Sequence, residues 1–354
     1  MTKLFIPGPV HVLPEVLERL STYPLGHRSK AWSEFQGQLV PKLRKILLTE
    51  GDVFLFTSSG SGGWEAAIRN CVPEGGKVLA CMCGAFSDKW ASVAEACGRK
   101  VSKLQVEWGN PVTADEVAGA LAKDKFDAVT YVHNETSTGV ANPLAEVAEV
   151  VKKYPDTFLL VDAVSSMTGM ELRVDDWGID VCLAGVQKAF ALPPGLAVVT
   201  ASARALERAK GIGGRGYYFD LLQYAKAAAK DQTPTTPAEP HLFALDLACD
   251  RILAEGVEAR WTRHREMASL VRAWAADRFE LFAPEGYRSE TLTCVKNSRG
   301  VSIDGLNKKL MAKRDCMISN GYGALKEKTF RISHMGDLQS KDLEELLGWI
   351  DELL

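Results

Sequence analysis

The sequence predicts an α/β fold: a three-layer sandwich around a mainly parallel sheet, followed by a smaller C-terminal α+β domain. Three observations predict it. Short apolar runs alternate with helical patterns over most of the chain. The runs are buried-strand-like and the helices between them are about 10–15 residues long, which argues for a parallel sheet covered on both faces. After about residue 235 the pattern changes to long helices mixed with short strands.

In chain order, Val53-Phe54-Leu55-Phe56 reads as a strand, with a helix from about Trp64. Val78-Leu79-Ala80 is the second strand, followed by a helix around Lys89 to Cys97. Ala128 to Val132 is the third, with a helix from about Pro143. Phe158-Leu159-Leu160-Val161, Val181 to Ala184 and Ala197-Val198-Val199 follow. Gln232 to Pro237 is an extended, turn-rich loop, because its two prolines bar a helix. Helical stretches then run over Leu242–Leu253 and Val257–Ala276. Strands at Leu292–Val295 and Phe330–Ile332 mix with helices at 302–313 and 340–354. A soft boundary near Gly256 divides an N-terminal segment and large domain (1–255) from a small C-terminal domain (256–354).

With 354 residues, 46% of them hydrophobic, the chain has enough apolar mass for one large core and a second smaller one. Its 42 basic and 45 acidic residues leave a net charge of -3, so no strong field favours nucleic acid or an anionic membrane. The expected partner is a small molecule or another copy of the chain. Eight scattered cysteines read as reduced thiols, and the lone Cys81-x-Cys83 has no second pair to complete a metal site. The opening apolar run is too short for a signal peptide, and no stretch approaches the roughly 18 apolar residues of a membrane span. The expectation is a soluble, cytoplasmic protein.

Four features carry chemistry. Thr57-Ser58-Ser59-Gly60-Ser61-Gly62-Gly63 lies between a strand and a helix. There the helix dipole and unpaired amides suit a phosphate, although a serine-capped turn reads the same way. Asp162 ends a strand, where a side chain faces the ligand crevice of a parallel sheet or caps a turn. Lys188 follows the apolar strand at 181–184; a lone lysine is ordinarily a solvated surface charge, but here the side chain can face the same crevice, where burial and nearby cations would lower its pKa and favour an imine. Arg331 interrupts an apolar strand, where its planar fork suits a substrate carboxylate or an internal ion pair.

Taken in order with Pro7-Gly8-Pro9, Glu135-Thr136-Ser137-Thr138-Gly139, Val161 to Ser166, Gln187-Lys188 and Phe330-Arg331-Ile332, these features resemble the class V, fold-type I aminotransferases. The likeness covers essentially the whole chain and is greatest to the alanine–glyoxylate/serine–pyruvate group, with phosphoserine aminotransferases near. The resemblance implies pyridoxal 5′-phosphate as cofactor and a homodimer with shared active sites. It implies that Lys188 carries the cofactor as a Schiff base and moves the proton between substrate Cα and cofactor C4′. Asp162 would pair with the pyridinium nitrogen. Ser61, Gly62 and Gly63 would hold the phosphate with Gln187. Phe86 would stack on the ring, Val164 would pack on its other face, and Ser137 would meet the ring hydroxyl. Thr236 would reach the phosphate of the neighbouring subunit. Arg331 would bind the substrate carboxylate, beside the Gly8-Pro9 backbone.

Two departures from the family pattern thin the phosphate shell: Gly63 stands where some members carry histidine, and Thr233 where some carry tyrosine. His27-Arg28 would suit an anionic donor side chain such as phosphoserine or aspartate, or would brace a dimer loop. The donor (serine, alanine, phosphoserine or aspartate) and the acceptor (glyoxylate, pyruvate or 2-oxoglutarate) stay open. The rival readings are phosphoserine aminotransferase, a cysteine desulfurase or lyase on the same fold, and a non-catalytic scaffold. Gln187 stands where desulfurases usually place a histidine, and the intact Lys188 and Asp162 argue against the scaffold.

Overall fold

The computed structural model describes residues 2–354. Seven strands form the central sheet in the order Asp52–Phe56, Ala197–Ala201, Val181–Gly185, Phe158–Asp162, Ala128–Val132, Lys77–Met82, Lys100–Gln105. Only Ala197–Ala201 runs antiparallel to its neighbours. The strand Phe158–Asp162 shows why both faces are covered. Leu159 and Val161 enter one core with Trp32, Leu39, Leu43 and Leu245, which lie on the helices Lys30–Leu47 and Glu239–Glu255. Phe158 and Leu160 enter the opposite core with Ile68 and Trp90, on the helices Gly60–Cys71 and Ala85–Ala96. Alternation along the strand therefore carries Asp162, two residues past Leu160, to the face of helix Gly60–Cys71.

A second sheet of five strands follows the order Lys3–Phe5, Cys316–Asn320, Thr329–Ser333, Leu292–Lys296, Glu280–Leu281. Lys3–Phe5 pairs in parallel with Cys316–Ile318, so the start of the chain completes the sheet built by its end. Phe330 and Ile332 point into a core with Met267, Val271, Leu346 and Ile350 from the helices on that sheet. Each such side chain contributes roughly 1.5–3 kcal/mol when fully buried. The same alternation turns Arg331 away from this core, toward the large sheet.

The helix Lys30–Leu47 is not among the elements expected from the sequence. Ser29 caps it by accepting from the Trp32 amide, and Pro41 lies inside it. An internal proline ordinarily argues against a helix; burial of Trp32, Leu39 and Leu43 outweighs it here. Among the described residues no helix is long and apolar enough to cross a membrane, and all eight cysteines are free thiols.

Candidate active site

A cavity of about 310 Å³ opens at the carboxyl ends of Phe158–Asp162 and Val181–Gly185. It is lined by residues that strand ends and turns bring together. Gly8, Ser61, Phe86, Asp162, Val164, Gln187 and Lys188 are expected from the sequence, and Ser59, Gly60, Trp64, Asn134 and Thr136 stand beside them.

Lys188 is 8% exposed and donates from Nζ to the Pro7 carbonyl. Burial first, then the positive field of Arg331, brings its pKa down to about 8. Its turn is pinned: Val10 N donates to Gln187 O at 3.1 Å, and Arg260 Nη2 to Ala189 O at 2.8 Å. Gly8 has φ +135°, and a Cβ there would lie 2.7 Å from Lys188 Cε, so only glycine lets this backbone pass the lysine.

Asp162 is 3% exposed. Oδ1 accepts from Val164 N and Oδ2 from Trp64 Nε1, both at 2.7 Å. Burial pushes its pKa up to about 6, against the pull of these two donors. The carboxylate is thus the dominant form at neutral pH, and a cation placed against it would favour that form further.

Helix Gly60–Cys71 begins at the cavity. Ser59 is its N-cap, yet its hydroxyl caps none of the first-turn amides, which leaves a positive helix end at a cavity-lining turn. Gly60 lies against Val164, whose Cγ2 would be 2.8 Å from a Cβ added there.

The remaining expected residues fall elsewhere. Gly62 and Gly63 are not on the cavity wall. Gly62 lies against Ser58 and the Phe219 ring, and Gly63 faces Leu183, whose Cβ would be 3.0 Å from an added one. A histidine at 63 would have to displace that sheet residue. Ser137 is fully buried; Oγ donates to Glu135 at 2.6 Å and accepts from Ala85 N. With its proton given to Glu135, it does not face the cavity, and neighbouring Thr136 lines the wall instead. His334, which the sequence places three residues after Arg331, is buried and held neutral, its pKa pushed down by burial to about 3, with Nε2 3.1 Å from Thr293 Oγ1.

Arg331 is not on the cavity wall itself but bonds Thr136, which is, and is 7% exposed. Nη1 donates to Thr136 O at 3.2 Å, and Nη2 and Nε to Asn320 O at 3.1 and 3.3 Å. The Tyr322 ring lies 5.5 Å from its guanidinium and 5.3 Å from the Phe86 ring. Half-buried His27 and exposed Arg28 and Thr236 form a separate unit. Arg28 Nη1 donates to Thr233 O at 2.6 Å and Nη2 to Pro234 O at 3.3 Å, while His27 Nε2 lies 3.4 Å from Thr236 Oγ1.

Trp64 and Glu135 hydrogen-bond to residues of this site, and sequence reasoning assigns neither a role there. Glu135 is a fully buried carboxylate that accepts from Phe86 N at 3.2 Å, Ser87 N at 3.0 Å and the Ser137 hydroxyl, and so fixes the segment bearing Phe86. Its sequence signal is its place at the head of the Glu135-Thr136-Ser137-Thr138-Gly139 segment, which does not say what the acid binds. Trp64, directly after a glycine run, reads as an ordinary core aromatic.

A buried lysine of lowered pKa, a buried acid and a helix N-terminus around one cavity define a pyridoxal-phosphate enzyme. The cavity fits that cofactor: the buried Gln187 Oε1 and Asn134 Oδ1, both on residues of its wall, have no hydrogen-bond partner. The Aminotransferase class-V family model matches residues 11–345, and the chain belongs to that family. It is a pyridoxal-phosphate-dependent aminotransferase, acting on an amino acid and a 2-oxo acid.

An uncharacterized aminotransferase of Methanocaldococcus jannaschii is 41% identical over 98% of this chain and 91% of its own length. The L-aspartate–glyoxylate aminotransferase of Paracoccus denitrificans is 36% identical over 95% of this chain and 86% of its own. Among solved structures, an alanine–glyoxylate aminotransferase from Nostoc sp. superposes with a TM-score of 0.94 at 27% identity, covering 99% of this chain and 95% of that one. None of the eight thiols lies on the cavity wall, so the wall offers no cysteine for desulfurase chemistry.

Proposed function

We propose that the chain transfers an amino group from a small neutral L-amino acid, alanine or serine, to a 2-oxo acid of glyoxylate size. The observation that carries this reading is Arg331. Among the described residues this buried guanidinium pairs with carbonyl oxygens and with no carboxylate. A buried cation without an anion is costly, and a substrate carboxylate relieves that cost. The cavity must hold cofactor and substrate together, which favours small substrates.

Bound pyridoxal phosphate supplies an electron sink for the substrate Cα. Around it, the Ser59–Ser61 turn and Gln187 would hold the phosphate, and Asp162 would keep the ring nitrogen protonated. Phe86 and Val164 would enclose the ring, and Thr136 would meet its hydroxyl. Lys188 is the catalytic residue: its Nζ takes the proton from the substrate Cα, a task that needs the neutral amine favoured by burial and Arg331.

Arg28 spends its donors on the Thr233 and Pro234 carbonyls, which favours bracing of the loop over recognition of an anionic donor. Mixing holoenzyme with alanine, serine, phosphoserine, aspartate or glutamate should bleach the visible cofactor band fastest with alanine or serine. Faster bleaching by phosphoserine or aspartate would overturn the neutral-donor reading. The double variant His27→Ala/Arg28→Ala should slow all donors alike, whereas loss confined to anionic donors would restore a substrate role for the pair.

We propose further that the chain works as a homodimer in which Thr236 reaches the phosphate of the other subunit. Thr236 is exposed and outside the cavity of its own chain, on a loop that Arg28 fastens. Sedimentation of the holoenzyme should give a dimer; an active monomer would refute it.

A further inference from the structure

We infer that Trp64 is a positioning residue for the reaction: its indole N–H aims the Asp162 carboxylate at the cofactor ring nitrogen and ties it to the phosphate-binding turn. This rests on the reading of Asp162 given above. Trp64 lies on the cavity wall, one helical turn after Ser61, on the helix whose N-terminus faces the same cavity. Strand alternation brings Asp162 to that helix, and Nε1 meets Oδ2 at 2.7 Å. Val164 N holds only the other oxygen. Without the indole, the carboxylate keeps one donor and swings about it, in surroundings too buried for water to substitute.

The indole is itself fixed. Its ring stacks on Trp90, with centroids 6.1 Å apart and planes 18° from parallel, and Ile68 and Trp90 belong to the same core. One rigid element therefore sets the phosphate anchor and the nitrogen anchor at a constant separation. The hydrogen bond is charge-assisted, and it counters the burial that favours the neutral acid.

Trp64→Phe keeps the aromatic packing and removes the donor. Stripped full-length chain is reconstituted with pyridoxal phosphate or with its 1-deaza analogue, in which carbon replaces the ring nitrogen. Trp64→Phe should weaken pyridoxal phosphate about tenfold, the size of one charged hydrogen bond, and leave the analogue unchanged. Asp162→Asn should discriminate in the same direction. If Asp162→Asn weakens both ligands alike, the Asp162 reading fails; if it discriminates and Trp64→Phe does not, the Trp64 inference fails. In wild-type chain with 15N-labelled indoles, one indole N–H resonance should differ between the two cofactors. Identical indole spectra would overturn the proposal without recourse to any variant.

Discussion

Lys188→Ala abolishes measurable transamination, with turnover falling at least about 10³-fold, the order expected when a general acid–base group is lost. On the proposed mechanism the amine holds the cofactor and moves the proton from one position, and no neighbour would replace it: among the described residues no other lysine lies on the cavity wall. The visible band of the holoenzyme should move to that of the free aldehyde, because no imine can form at alanine. Cofactor should still bind, since the Ser59–Ser61 turn and Asp162 are untouched. Added methylamine should restore part of the proton transfer. Near-normal turnover in this variant would remove Lys188 from the mechanism. A variant that neither binds cofactor nor shows the native circular dichroism would instead trace the loss to the Pro7–Lys188 contact.

That lysine is legible in the sequence because apolar strands are legible. Phe158 to Asp162 and Val181 to Gly185 are wholly buried, and an ionisable residue at such a strand's end has few places to go except the crevice. Elsewhere the local signal is weak. Lys100–Gln105 is an edge strand with Lys100, Lys103 and Gln105 exposed, so it reads as polar. The helix Lys30–Leu47 is hidden by Pro41. Pairing of Lys3–Phe5 with Cys316–Ile318 joins residues more than three hundred positions apart, and nothing local encodes it.

The site shows the same division. Position along the chain is enough to bring Asp162 and Lys188 to the cavity wall, but not to tell which of two adjacent hydroxyls lines it. Ser137 and Thr136 differ in that Glu135 claims the serine proton, a matter of side-chain geometry rather than of residue order. Arg28 likewise suggests an anion by its residue type, whereas the Thr233 and Pro234 carbonyls occupy it in the fold.

Arg331→Leu should lower kcat/KM by roughly 30- to 1,000-fold, about 2–4 kcal/mol, with most of the loss in KM. The fork explains the size. Three of its donors are already placed by Thr136 O and Asn320 O, so the guanidinium is held still before substrate arrives. Arg331→Lys retains the charge without that fork and should recover no more than a small part of the loss. The two variants separate in their pH profiles. Arg331 lowers the Lys188 pKa through its positive field, so in Arg331→Leu the amine returns upward and the rise of kcat with pH moves to higher pH. In Arg331→Lys a cation remains and the profile stays near that of wild type. The bound cofactor's spectrum at saturation should be unchanged in both, because the residues proposed to hold the cofactor are untouched. A leucine variant with wild-type KM and an unmoved profile would show that the guanidinium serves only to join Thr136 to the strand Cys316–Asn320, and that the substrate carboxylate is bound elsewhere.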